Sequence, residues 1–175
     1  MSGIINATNL EVANIKDSTG TNTAMTINSD GVVNRSVLPA WRIRLANAES
    51  RTATTQLVIG FAETTTNDCF LQGGCTLSSG TITVPVTGIY HVTANVRVDN
   101  IASGGFVTVR IRKNAENVGA TYTIYGTAAA LYQTYTPSET WSLSANDTIQ
   151  VTASSSADTS WSVSGTSSFS GHLVG

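Results

Sequence analysis

Hydrophobic and polar residues alternate without a break from Tyr90 to Val98. Tyr90, Val92, Ala94, Val96 and Val98 fall on one side, and His91, Thr93, Asn95 and Arg97 on the other. Successive side chains of a strand point to opposite faces, so this spacing predicts a strand with one face in a core and one in polar surroundings. Ile82 and Val84 form a shorter run that ends at Pro85, and Thr87-Gly88 supplies a turn before the long strand. The same period recurs in Trp41, Ile43 and Leu45, in Val107, Val109 and Ile111, and in Trp141, Leu143 and Ala145. It returns in Ile149, Val151 and Ala153, in Trp161 and Val163, and in Phe169, Gly171 and Leu173. The mostly apolar run from Gln56 to Phe61 predicts another strand. Residues 67–80 read as a Gly-rich connection with Phe70 and Leu71 as its buried anchors. Turn chemistry marks 99–105, 113–117 and Asn146-Asp147. Residues 118–136, rich in Ala, Thr and Tyr, fit one or two strands and leave a brief helical turn open at Ala128-Ala129-Ala130. Roughly eight to ten short strands separated by turns predict an all-β chain, a sandwich or jelly roll. Its expected core includes Phe70, Tyr90, Val92, Val96, Trp161, Phe169 and Leu173.

The first 40 residues carry a different pattern. Ile4, Ile5, Leu10, Val12 and Ile15 are apolar beads in a polar context; Met25 and Ile27, then Val32 and Val33, make two further fragments between turn signals. Segments this short bury too little surface to fold alone, so they are expected to be ordered across chains, on the following domain or on a partner. The expected division is an arm, residues 1–40, and a β domain, residues 41–175, joined near Pro39.

Composition narrows the function classes. With 11% charged residues and a formal net charge of −2, the chain offers no basic surface for nucleic acid. Ser and Thr make up roughly a quarter of it, above ordinary usage, so its surface rests on hydroxyls and amides. No apolar run reaches the roughly 18 residues of a membrane span. The N-terminus lacks a basic start followed by an apolar run, so synthesis in a cytosol is expected, with Cys69 and Cys75 as thiols. A hairpin disulfide around Gly73-Gly74 is the alternative.

Catalytic chemistry finds little footing. His91 sits on the polar face of a strand, His172 follows Ser170, and no G-x-S-x-G motif accompanies either. Asp68, Asp99, Asp147 and Asp158 lie in turns, where Asp is common for backbone reasons, and no acidic loop has calcium-site spacing. No enzyme activity, cofactor or metal is therefore expected. Tyr122, Tyr125, Tyr132 and Tyr135 are candidates for a subunit interface or a ligand surface. Arg42, Arg44, Arg97, Arg110, Arg112 and Lys113 concentrate positive charge on the strands, either as solvated faces or as an interface.

Gly88-Ile89-Tyr90-His91-Val92 resembles the G-x-Y-x-F signature of the C1q/tumour-necrosis-factor-like jelly roll. Thr83-Val84-Pro85 precedes the glycine as in that family, Leu143–Ile149 resembles its L..GD.V hairpin, and Phe169–Val174 its terminal FSGFL strand. Val92 and Ala94 stand where aromatics are frequent, and Asn146 where glycine is usual. The resemblance implies a tight homotrimer. The arm, with LEV…IKDSTG…AMTINSDGV, is similar to opening segments of tailed-bacteriophage virion proteins. Together these imply a structural virion protein on the outside of the particle. The expected role is a trimeric capsid decoration, or cement, subunit whose arm grips the major capsid protein. The alternative is a short tail fibre whose trimeric tip meets a host surface glycan or protein.

Overall fold

In the largest of the three sheets among the described residues, a single strand of 14 residues, Gly88–Ile101, pairs with four others. The structure is a computed structural model. It describes residues 14–16, 23–27, 29–31, 33–34, 38–52, 54–66, 68–119, 121–126, 131–156 and 160–175. The chain divides into two compact units, Met1–Leu38 and Pro39–Gly175. In the first, β1 (Asn14–Lys16), β2 (Thr23–Ile27) and β3 (Val33–Asn34) form a three-stranded sheet in that order, with Ile15 opposite Met25. These strands thus pair with one another within one chain, the means of ordering that the sequence reading left out. Ile4, Ile5, Leu10 and Val12 lie outside the described residues.

The second unit contains β4 (Ala40–Arg44), β5 (Glu49–Arg51), β6 (Leu57–Val58), β7 (Phe70–Gln72), β8 (Thr76–Ser78) and β9 (Thr81–Thr83). It continues with β10 (Gly88–Ile101), β11 (Phe106–Lys113), β12 (Thr121–Tyr125), β13 (Leu131–Tyr135) and β14 (Ser138–Leu143). The last three are β15 (Thr148–Ser155), β16 (Trp161–Val163) and β17 (Ser168–Leu173). The larger sheet runs β5-β16-β10-β17-β4-β7, with β13 and β14 also on β10; the smaller runs β12-β11-β15-β9-β8, with β6 on β15. One edge of β10 takes β17 over Tyr90–Asn95 and β16 over Val98–Asp99. Its other edge takes β14 over Gly88–Thr93 and β13 from Val96 to Ile101. All of these pairs are antiparallel. This is an all-β jelly-roll sandwich.

The inward side of every long strand feeds one core. Tyr90, Val92, Ala94, Val96 and Val98 from β10 meet Val107, Val109, Ile111, Ile149 and Val151 from the opposite sheet, all buried. Burying each side chain of Val, Ile or Phe size contributes about 1.5–3 kcal/mol, which is why the alternation is decisive for the fold. Trp41 and Phe169 pack edge-to-face at 5.7 Å, Phe61 lies 5.9 Å from Phe169, and Tyr90 donates its hydroxyl to the Val86 carbonyl at 2.9 Å. Ala94 stands directly opposite Phe169, so a small residue on β10 leaves room for a large one on β17. Gly171 stands opposite Trp41, and an added Cβ would come within 2.6 Å of Trp41 Cη2.

Several elements differ from the sequence expectation. Only Leu57 and Val58 of the Gln56–Phe61 run form a strand. Ile59 and Phe61 are buried outside it, and the Phe61 N–H bonds the Ile59 carbonyl at 2.9 Å. Phe70 is 41% exposed instead of a core anchor. The cause is register: β7 pairs with β4 so that Leu71 faces Trp41 and Phe70 faces Arg42 on the outer side. Leu71 does pack on the core, as does the half-buried Leu173. Residues 118–136 supply two strands, one to each sheet, while residues 127–130 lie outside those described. Arg51 is a buried residue that the polar run around it conceals. Its guanidinium meets Glu49 Oε1 at 2.7 Å, donates to the carbonyls of Leu57 (3.1 Å) and Val58 (2.7 Å), and lies 5.7 Å from the Trp161 ring centroid. It thereby ties β5 of one sheet to β6 of the other.

At the β14–β15 corner, Asn146 takes φ 72°, a conformation asparagine tolerates better than most residues, which explains its service where glycine is usual. Asp147 accepts from Asn114 Nδ2 (2.8 Å) and the Ser144 N–H (2.8 Å) and pairs with Lys113 Nζ (3.0 Å). The Asn114 amide, then the Ser144 N–H, hold its carboxyl below the usual range, with Lys113 adding to the effect.

Two predictions follow from this packing. Gly171→Ala overpacks the Trp41 site and is expected to cost about 1–3 kcal/mol in urea unfolding, with Trp41→Phe recovering part of the loss in the double variant. Because the folded pKa of Asp147 is depressed, its contribution is present above the unfolded value and is lost as pH falls through the folded one. Asp147→Asn should therefore melt below the parent at pH 7, with the gap narrowing in melts below about pH 4.

Candidate binding surfaces

From Ile89 to Asp99, β10 turns its odd-numbered side chains away from the core, and its neighbours fall into register with them. Ala40, His172, His91 and Thr140 form one outward row across β4, β17, β10 and β14. Phe70, Arg42, Ser170, Thr93 and Ser138 form the next, followed by Arg44, Ser168 and Asn95. Between the first two rows, Arg42, Phe70, His91, Thr93, Ser170 and His172 line a groove of about 350 Å³. The His91 and His172 rings meet edge-to-face, 5.8 Å apart. His91 Nδ1 contacts Thr140 Oγ1 at 3.1 Å and Nε2 contacts Ser138 Oγ at 3.4 Å, while Arg42 donates to the Asp68 carbonyl at 3.2 Å. Both hydroxyls fix the imidazole, and Nδ1 meets a threonine where a nucleophile triad places a carboxylate.

The four tyrosines separate. Tyr122 (46%), Tyr125 (63%) and Tyr132 (66%) are exposed, whereas Tyr135 is fully buried. Tyr122 and Tyr125 belong to β12 in the smaller sheet, Tyr132 and Tyr135 to β13 in the larger, so the four do not make one patch. Tyr125 stacks edge-to-face on Phe106 at 5.4 Å, and Arg97, paired with Asp99 at 2.7 Å, lies 4.3 Å from the centroid of the Tyr132 ring. Tyr135 turns inward because Val96, its register partner, does. Burial pushes its phenol up to about 12, and the hydroxyl has no partner among the described residues.

Cys69 and Cys75 are buried thiols and form no disulfide with each other. Burial raises both, Cys75 to about 11, which keeps them protonated and poorly nucleophilic. Among the described residues, no three His, Cys, Asp or Glu side chains gather as a metal site would require. Of the proposed arm contacts only Ile15 is described, within β1. Sequence reasoning missed the groove itself. The one available signal was an exposed-face histidine on each of two strands, His91 and His172, whose pairing no local motif announces.

With the sandwich and its outward rows in place, comparison with known proteins is informative. No curated protein matches the chain. The C1q domain family matches residues 42–174, which spans the sandwich from β4 to the end of β17. C1q domains typically form homotrimers and are in general non-enzymatic. The glycine-tyrosine start of β10, the Asn146 corner and the Phe169-Ser170-Gly171 strand stand in the order of that family's landmarks. This chain belongs to the C1q domain family.

Proposed function

We propose that this protein is a homotrimeric structural component of a tailed-phage virion, a capsid decoration subunit. The observation that carries the reading is the division into a C1q sandwich and a separate N-terminal unit of very short strands. A knob of this kind supplies bulk and trimer contacts, while an arm with short strands supplies grip. In mechanism, Ile4, Ile5, Leu10, Val12 and Ile15 bury against neighbouring major capsid subunits, and three arms on one trimer multiply modest contacts through effective concentration.

A second reading rests on the exposed Tyr122, Tyr125 and Tyr132, which suit a short tail fibre whose tip recognises a host glycan or surface protein. Deleting residues 1–35 is expected to leave a trimer by sedimentation while abolishing co-sedimentation with capsids. A truncated chain that unfolds would overturn the division of labour. Many copies per particle, measured by quantitative mass spectrometry of virions, supports decoration. A few copies at the tail, with glycan-array binding by the knob, supports the fibre.

A further inference from the structure

We infer that the outer face of the smaller sheet, along β11 and its neighbour β12, is a docking surface for a linear acidic glycan whose anionic groups are uronate carboxylates. The inference concerns the surface of the protein itself and holds for either placement in a particle.

The first argument is the register of the face. Along β11 the outward positions are Phe106, Thr108, Arg110 and Arg112, since Val107, Val109 and Ile111 between them are buried. β12 places Tyr125 beside Phe106, Thr123 beside Thr108 and Thr121 beside Arg110. On the other flank β15 places Ser154, Thr152 and Gln150 opposite Thr108, Arg110 and Arg112. No carboxylate stands in these rows. The second argument is charge left without its counterpart. Arg51, Arg97 and Lys113 each pair with a carboxylate at 3.0 Å or less. Arg110 and Arg112 differ. Arg110 Nε donates to Thr121 Oγ1 at 2.7 Å and Arg112 Nε to the Glu116 carbonyl at 3.2 Å, and neither has a carboxylate partner among the described residues. Two like charges two residues apart on one face repel, and an anion laid between them relieves the repulsion. With Nε anchored, the terminal N–H groups of each guanidinium are oriented for an outside acceptor, in the fork that matches a planar carboxylate.

The third argument is the change of chemistry along the track. From Phe106 to Arg112 the strand rises about 20 Å, long enough to lie under several sugar rings. At one end the exposed Tyr125 meets Phe106 edge-to-face at 5.4 Å. Such a pair offers an apolar surface to the C–H face of a sugar ring, and the phenol adds a polar end. In the middle the hydroxyls of Thr108 and Thr123 bond each other at 3.0 Å, suited in kind to sugar hydroxyls. The two arginines close the other end. This order of aromatic, hydroxyl and guanidinium groups fits a glycan with sparse carboxylates. It does not fit a nucleic-acid strand, which carries a charge about every 3.4 Å and would set about six phosphates against two guanidiniums.

The test titrates the full-length protein by isothermal calorimetry with a galacturonate tetramer and, in parallel, with a neutral galactose tetramer, a sulfated heparin tetramer and a single-stranded oligonucleotide. The galacturonate tetramer is expected to bind saturably with a Kd below about 1 mM, at least about tenfold tighter than the other three. Arg110→Gln, Arg112→Gln and Tyr125→Ala should each weaken it about fivefold or more, with the fold retained by circular dichroism. Arg112→Lys, which keeps the charge and loses the fork, should weaken it as well. Thr76→Ala, on the far edge strand of the same sheet, should bind as the parent does. No saturable binding of the galacturonate tetramer, equal binding of the neutral tetramer, or parental binding by all the arginine variants would each overturn the surface. Heparin or the oligonucleotide binding as tightly as the galacturonate tetramer would overturn the uronate assignment.

Discussion

The alternation of β10 is the constraint on which the rest of the structure depends. Four strands read their register from its two edges, so its inward residues set the centre of the core and its outward residues set the middle of the exposed face. A slip of one residue would drive His91, Thr93 and Arg97 into the space held by Val92, Ala94 and Val96. Stranding such groups without partners costs several kcal/mol in sum, enough to fix the register by itself. The neighbours reinforce it. Phe169 on β17 needs the small Ala94 across from it, and Trp41 on β4 needs Gly171. Phe61, Phe169 and Trp41 pack on one another and fill the core beside the small Ala94 and Gly171.

The sandwich is closed at its ends by polar groups used sparingly. Arg51 is nearly inaccessible, and removing it would strand Glu49 and the two carbonyls it serves. Buried pairs of this type contribute more to fixing one arrangement than to net stability. Its attachment to β6 also accounts for a short strand that little else would hold, since Leu57 points to solvent. The Asp147 corner acts alike at another place, joining the β14–β15 turn to the end of β11 through Asn114 and Lys113. The first device links two elements that backbone pairing leaves in separate sheets, and the second reinforces a corner that β11–β15 pairing already joins.

What the sequence made legible follows from how local each signal is. β10, β11, β15 and β17 were readable because their two faces differ in polarity residue by residue. The class of the family was readable because its landmarks sit at corners and strand starts, where backbone geometry restricts the residue. Phe70 was misplaced because hydrophobicity says that a side chain prefers burial and is silent on which edge its strand joins. Tyr135 was grouped with its exposed neighbours because a phenol suits a surface as well as a core, and only its pairing with Val96 decides. Arg51 ran against every local expectation, since charge is read as exposure unless the Leu57 and Val58 carbonyls that the fold brings onto it are known. The groove was illegible for the same reason: its members come from positions near 40, 70, 91 and 172, and only sheet order makes them neighbours.

This separation between legible core and illegible face has a functional consequence. Outward residues of the larger sheet are flanked on their inner side by side chains that are wholly buried, so exchanging one outward side chain for another leaves most of the folding energy in place. Ser168, Ser170, Thr93 and Asn95 are small and uncharged, and they carry little of the packing. The fold can then vary its binding chemistry at alternate positions of β4, β10 and β17 while the intervening positions hold the jelly roll. His91, His172 and Arg42 are three such outward residues, brought together by register, and Phe70 is a fourth on the edge strand beside them. A residue that gives up core packing on an edge strand is placed there by register, since Phe70 pairs with the outward Arg42 while Leu71 takes the inward position beside Trp41.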